Sequence, residues 1–225
     1  MNDFSAYVYS ELLKSPFDLI NIISKYTEIN NHIKVAVVGG FIRDLLINKI
    51  HKKKFVKPID IDIVTDGSSI DLAKFIKKNI SNVDFCLIKE FEIYNTVELN
   101  INNLKIDIAS ARTENYESPG SNPIVKNASI KEDLKRRDFS INAIAFEISK
   151  REIYDLFEGI NHIRKKELHL LHENSIHDDP SRLIRCAKYA SRLGFKISNK
   201  SLKQSQRVIA IWPWLENKDG LKFRF

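Results

Sequence analysis

Residues 35–46 read VAVVGGFIRDLL: a run of strand formers, two adjacent glycines, then apolar residues at helical spacing. Glycine is scarce in this chain, seven in 225 residues, so a side-by-side pair at one junction points to a backbone requirement. The spacing predicts a strand at about 34–38, a turn at Gly39 and Gly40, and a helix at about 41–48. A strand that turns straight into a helix brings bare backbone N–H groups to a helix N-terminus. Without side chains in the way, such a turn suits phosphate. A tight turn that merely needs small residues would be written the same way, so the rest of the sequence has to decide.

About twenty residues on, IDIDIVT alternates apolar and acidic positions as a strand does. Residues two apart on a strand point the same way, so Asp60 and Asp62 share one face, while Ile59, Ile61 and Ile63 point into a core. Two neighbouring carboxylates repel unless a cation lies between them, and a hard cation with oxygen ligands, Mg²⁺ above all, meets that need. The turn would then hold a triphosphate and the acids its metal. A third acid, Asp107 in LKIDIA, is expected on another strand and can join the same face.

Further along, a helix is expected near 69–79, and VDFCLI, YNTVELNI and LKIDIAS read as strands of an antiparallel or mixed sheet. HKKKFVKP reads as a basic loop, and TENYESPGSNPIVKNAS, rich in Pro, Gly, Ser and Asn, reads as another loop. The N-terminal stretch up to Tyr26 reads as a surface helix. From about 130 the pattern turns helical: DLKRRDFSINAIAF becomes an amphipathic helix, EIYDLF a short strand, and DDPSRLIRCAKYASRLGF a helix with Pro180 in its first turn. A last helix is expected near 200–210. The expected organisation is a mixed α/β head over residues 1–150 and a helical segment over 151–225.

Arg136, Arg137 and Asp138 are adjacent and cannot all face one way, so one arginine pairs internally while another reaches a ligand. Arg182, Arg185 and Lys188 recur every three residues on one helix face, which suits a triphosphate or an RNA backbone. A formal charge of +7 and a pI near 9.2 favour a polyanionic partner. Two cysteines, Cys86 and Cys186, lie far apart and suggest neither a disulfide framework nor a zinc pair. His162, His169, His172 and His177 lack HExxH spacing. There is no basic stretch leading into an apolar one at the N-terminus, and no apolar run of membrane-spanning length. A cytoplasmic location is expected, or an organellar one if a transit peptide has been removed.

Taken together, GGFIRD, DID, RRDFSINA and DDPSRLIRCAKYASRLGF, in that order over about residues 34–197, resemble the tRNA nucleotidyltransferase/poly(A) polymerase family, specifically its class II CCA-adding enzymes. The resemblance implies an α+β protein: a polymerase-β-like nucleotidyltransferase head with a mixed sheet, followed by an α-helical neck. It implies that Gly39, Gly40 and Arg43 handle the triphosphate, that Asp60 and Asp62 are the catalytic ligands of Mg²⁺, and that Arg137 contacts the nucleotide. Asp179 and Arg182 would act as a protein template for the incoming base, with Arg185 and Lys188 adding further nucleotide contacts. The implied partners are the tRNA 3′ end, CTP and ATP. A carboxylate accepts from the exocyclic amine of cytosine or adenine and would face a carbonyl in uracil or guanine, so C and A can be selected without a nucleic acid template.

The sequence departs from the family pattern at four places. Asp178 replaces the usual Glu before the template acid, Lys188 a usual Arg, and His162 the acid of a G-x-x-D-L motif; EFEIYNTVEL stands where Phe-Gly-Thr is usual. A poly(A) polymerase on the same head and a non-catalytic RNA-binding relative are the competing readings.

Overall fold

The computed structural model describes residues 3–52, 60–81, 86–91, 94–102, 104–118 and 120–211. The N-terminal stretch forms two helices rather than the single one expected. Helix α1 (Asp3–Leu12) buries Val8 and Leu12, and α2 (Leu19–Ile29) follows a short 3-10 turn, Pro16–Asp18. The break has a local cause. Ser15 precedes proline and is driven to extended φ/ψ (−61°, 145°), and Phe17 then takes a left-handed φ of 62°.

Strand β1 (Val35–Val38) is buried along its whole length and ends at Gly39, whose φ of 72° and ψ of −136° suit only glycine. Helix α3 (Gly40–His51) starts at once. Strand β2 (Asp60–Thr65) and helix α4 (Ser69–Asn79) follow, the helix capped by Ser68, which accepts from the Asp71 N–H. Strands β3 (Cys86–Phe91), β4 (Thr96–Ile101) and β5 (Leu104–Ser110) come next. The basic segment 53–58 lies outside the described residues.

Two expectations fail between residues 112 and 147. The expected loop contains an antiparallel hairpin of β6 (Arg112–Asn115, RTEN) and β7 (Ile124–Asn127, IVKN), whose strands are four residues long and carry no alternating apolar signal. The expected long helix over DLKRRDFSINAIAF stops early. Helix α5 (Ile130–Lys135), opened by a Ser129–Glu132 capping box, gives way to a single 3-10 turn, Ser140–Asn142. Strand β8 (Ile144–Glu147) follows; it slots between β1 and β9 (Glu152–Asp155) and is fully buried. A strand buried on both faces reads as a continuous apolar run, which periodicity cannot distinguish from a buried helix.

The rest is mostly helical: α6 (Gly159–Lys165), β10 (Glu167–Leu168), α7 (Ser175–Asp178), α8 (Ser181–Leu193), β11 (Lys196–Ile197) and α9 (Asn199–Ile211). β10 and β11 form a short parallel pair. No helix of the described residues is long and apolar enough to cross a membrane.

The main sheet runs β3-β4-β5-β2-β1-β8-β9. It is mixed, with β2 and β5 parallel and the other pairs antiparallel. One face carries Val35, Val37, Ile61, Ile63, Ile106, Ile108 and Phe146 into the principal core with α1–α4. The opposite face is covered thinly, by a small cluster of Ala36, Val38, Val64 and Ala145 with Ile130 and Leu134 of α5. Val38 pairs in register with Asp62, so the pleat that buries the β2 isoleucines sets Asp60 and Asp62 on this thinly covered face.

Candidate active site

Gly39 and Asp62 meet where β1 ends. A Cβ added to Gly39 would lie 2.9 Å from Asp62 Oδ2 and 3.5 Å from Arg137 Nη1, so the glycine is required both by its φ and by the carboxylate packed against it. Asp60 is exposed and Asp62 half-buried. Burial raises the Asp62 carboxyl above its ordinary value; Arg137 pulls it down, and Asp107 and Asp60 push it up again. Asp107 stands opposite Asp62 in the parallel β2–β5 ladder, as expected, but its carboxylate is engaged by Lys105 at 3.0 Å.

Arg137 is aimed by a residue that the sequence reading did not single out. Asp133, with no exposed surface, accepts from Arg137 Nη2 at 3.0 Å through one oxygen and from Arg136 Nη2 at 2.7 Å through the other. Burial opposes ionisation of Asp133, but the two guanidiniums outweigh it and hold the carboxyl below its usual value. Arg136 also reaches Glu114 at 2.8 Å. Both arginines thus pair with Asp133, and they differ in what else they meet. Arg136 is locked inside a buried network, and Arg137 stands beside Gly39 and Asp62. The available signal was the spacing: Asp133 lies four residues before Arg137 at the end of a helix, on the same side.

Arg43 is only 2 % exposed. Its Nε and Nη2 donate to Asp44 at 2.7 and 3.0 Å, its Nη1 donates to Asn142 Oδ1 at 2.7 Å, and its guanidinium lies over the Tyr189 ring at 5.1 Å. Gly40 packs against it, a Cβ there lying 3.4 Å from Nη2. Arg43 is thus a buried tie between the start of α3, the Ser140–Asn142 turn and α8. Asn142 and Tyr189, which make that tie, were not identified from the sequence.

The three cations of α8 do not share an environment, contrary to the single stripe expected. Arg182 is 5 % exposed and donates to Ser175 Oγ at 2.8 Å and to the Arg136 carbonyl at 2.7 Å; its Nε lies 3.7 Å from Asp179. Arg185 is half-exposed and meets Asp138 at 2.6 Å. Lys188 faces out. Asp179 accepts from the Ser181 N–H at 3.0 Å and its hydroxyl at 2.6 Å, which fixes the carboxylate at the start of α8. Arg182 and Asp178 border a polar cavity of about 270 Å³ shared with Glu114, Tyr116, Arg136 and His172. The hairpin closes over it, the Gly120 N–H donating to the Asp178 carbonyl at 3.2 Å.

The donor set suits a hard divalent cation. Asp60 and Asp62 are oxygen donors on one face, Asp62 is destabilised as an anion by its surroundings, and the glycine next to it leaves the carboxylate open to a ligand. Among the described residues no group of three or more His, Cys, Asp or Glu side chains is arranged to hold a metal. Asp60 and Asp62 are the two carboxylates that would hold such a cation, with phosphate and water as its other ligands.

A mixed sheet that presents neighbouring carboxylates beside a Gly-Gly helix start, with arginines converging from a following turn and helix, defines a polymerase-β-like nucleotidyltransferase head. The family model described as "Poly A polymerase head domain" matches residues 35–169, and the chain belongs to that family. It is 37% identical over 181 residues to the A-adding tRNA nucleotidyltransferase of Aquifex aeolicus, covering 79% of this chain and 20% of that protein. It is 32% identical over 184 residues to the CC-adding tRNA nucleotidyltransferase of Deinococcus radiodurans, covering 79% and 46%. Among solved structures, a CCA-adding enzyme in an apo form superposes with a TM-score of 0.76 at 31% identity, over 89% of this chain and 47% of that one. A tRNA nucleotidyltransferase complexed with a primer tRNA and an incoming ATP analog superposes with 0.69 at 29% identity, over 85% and 51%. The chain thus spans between about a fifth and a half of the length of these relatives.

Proposed function

We propose that the chain adds C and/or A to the 3′ end of tRNA, using CTP and ATP and no nucleic acid template. The observation that carries this reading is the meeting of Gly39, Asp62 and Arg137 where the central strand β1 ends. The relatives named above, which add A or CC to tRNA, supply the substrate class.

In this reading the RNA 3′-hydroxyl attacks the α-phosphorus of the nucleotide, a P–O bond to the RNA forms, and pyrophosphate leaves. Asp60 and Asp62 hold Mg²⁺, which when bound neutralises phosphate charge and favours the deprotonated hydroxyl. Gly39 and Gly40 let the phosphates approach the backbone at the start of α3. Arg137, fixed by Asp133, offers its guanidinium to the charge that develops as pyrophosphate departs. Arg43 acts from behind, setting the angle of α3 through Asp44 and Asn142. Arg182 donates to Ser175 Oγ and the Arg136 carbonyl, with His172 Nε2 3.4 Å from its Nη1, and would present its remaining N–H groups to a base. Asp179 accepts from the exocyclic amine that C and A share. Arg185 and Lys188 complete the nucleotide contacts.

The test is incorporation of radiolabelled CTP or ATP, offered separately with Mg²⁺ to tRNAs ending at the discriminator base, at C and at CC. Addition of C to the first two and of A to the third identifies a CCA-adding activity, and either half alone a CC- or A-adding one. Repeated AMP addition to ends unrelated to tRNA would replace this reading with a poly(A) polymerase. Binding of tRNA without incorporation on any end would leave an RNA-binding relative.

A further inference from the structure

His162 stands where the family motif carries an acid, and the structure gives it a partner that an acid would not have. Its ring stacks on that of His169, with centroids 3.6 Å apart and planes 14° from parallel. The pair lies directly under the turn that holds the site arginines. His162 Nδ1 and Ser140 Oγ are hydrogen-bonded at 2.8 Å. The Ser140 N–H donates to the His169 carbonyl at 3.0 Å, and the Leu171 N–H donates to the Asp138 carbonyl at 3.3 Å. Gly159 makes this possible: a Cβ there would lie 2.5 Å from the Ser140 carbonyl oxygen. Helix α6 can therefore start hard against the turn and deliver His162 to Ser140 three residues later.

Each end of that turn grips a site arginine. Asp138 meets Arg185 at 2.6 Å, and Asn142 receives Arg43 at 2.7 Å while donating to Asp138 at 3.1 Å. A shift at Ser140 thus moves two arginines that belong to different elements, α3 and α8.

We propose that the stacked His162–His169 pair is a positioning element for Arg43 and Arg185, and that it loosens the Asp138–Asn142 turn when it takes up protons. This rests on the proposed nucleotide site. Two imidazoles in face contact tolerate one positive charge between them far better than two, and a protonated His162 can only donate at Nδ1, so the bond must reverse wherever the Ser140 hydroxyl donates to the neutral ring. Charged and titratable groups lie on the elements around the pair. Glu167 on β10 accepts from His169 Nε2–H at 2.9 Å. Asp155 at the end of β9 caps α6 through the Gly159 and Ile160 N–H groups. Glu158 precedes α6 and Lys165 ends it, while His51 of α3 bonds the Ile163 carbonyl at 2.8 Å, and Lys196 of β11 pairs in register with Glu167. Burial, and then His169, pull His162 below its ordinary value, against the opposite influence of Glu158, Glu167 and Asp155. His162 is therefore neutral near pH 7 and takes up its proton below pH 6.5.

The test follows the histidine rings and the backbone amides of Ser140–Asn142 by NMR between pH 7.5 and 5 in the full chain, alongside affinity for CTP and ATP at each pH. The amides should shift with the same midpoint as His162, and His169→Gln should raise that midpoint. His162→Gln should leave the chain folded and remove the inflection from the amides. Nucleotide affinity should fall several-fold through the same midpoint in the wild-type chain and change little with pH in His162→Gln. Amides that do not follow His162, or a His162 midpoint unmoved by His169→Gln, would overturn the proposal. If neither nucleotide binds at any pH, the functional reading fails, and the NMR titration still decides this one.

Discussion

The space a side chain on Gly39 would need is already taken by Asp62, whose carboxylate oxygen lies 2.9 Å from that Cβ position. The strand that ends at Gly39 and the strand that carries Asp62 are neighbours in register, so the glycine turn and the acid pair form one feature. Gly39→Ala should cost about 1–3 kcal/mol of stability from the positive φ alone. It should lower the rate of nucleotide addition by about 100-fold, the scale of loss for a misplacement of roughly 1 Å in a catalytic site. Denaturant melts and single-turnover rates on the same preparation measure both. A folded, fully active alanine variant would show that the carboxylate does not need that space.

Asp133 is the hidden support of the site, since it holds Arg136 and Arg137 without exposing any surface. Asp133→Ala should destabilise the chain by about 3–5 kcal/mol, because two guanidiniums lose their buried counter-charge. Arg137→Ala should destabilise it less and instead weaken nucleotide binding. Chemical unfolding and nucleotide titration separate the two effects.

Asp133 and Glu114 set the sign of the acid response. Burial works against both anions, but their arginines, with the Tyr116 hydroxyl at Glu114, hold both below their ordinary values. Their contribution is complete above the ordinary Glu value of 4.5 and is lost as pH falls through the folded values. Stability should therefore drop steeply below about pH 4.5, with a shallower drop in Asp133→Asn. Thermal melts at intervals from pH 7 to 3 check this.

Arg182 is anchored as a fork, one nitrogen on Ser175 and another on the Arg136 carbonyl. Lys in its place has one nitrogen where the guanidinium offers two, and loses this forked geometry. Arg182→Lys should cost about 1–3 kcal/mol for the group left unpaired. It should also relax discrimination against UTP and GTP more than it slows addition of the correct nucleotide. Asp179→Ala should do the same to selectivity with a smaller loss of stability, about 0.5–2 kcal/mol for the lost contacts at the start of α8. Competition between nucleotides in one reaction reads the selectivity directly.

What could be read from the residues, and what could not, divides along physical lines. Helix α4 was visible at its observed bounds because its apolar period, its Ser68 cap and its flanking turn agree. The face shared by Asp60 and Asp62 followed from strand period alone. Strand β8 was mistaken for helix because its sequence is apolar without alternation, and only its neighbours β1 and β9 determine what it becomes. The β6–β7 hairpin was missed because its strands are only four residues long and neither RTEN nor IVKN alternates apolar with polar residues. In the site, the sequence reading named residues whose chemistry is visible in a motif and did not name Asp133, Asn142 or Ser175. Their importance lies in which arginine they hold, a long-range fact for Asn142, 99 residues from Arg43.

Asp62 gives the most direct test of the central claim. Its anion is raised in energy by burial and by Asp107 and Asp60, beyond what Arg137 relieves, so the folded chain holds a proton there more readily than the unfolded one. Without a divalent cation, Asp62→Asn should therefore melt at or above the wild-type temperature at pH 7, with the gap closing as pH falls through the folded value. Adding Mg²⁺ and nucleotide should raise the wild-type melting temperature and leave that of Asp62→Asn nearly unchanged. The variant should lose incorporation of CMP and AMP on every tRNA end by several orders of magnitude. An Asp62→Asn variant that still adds nucleotides at a rate near wild type would contradict the account.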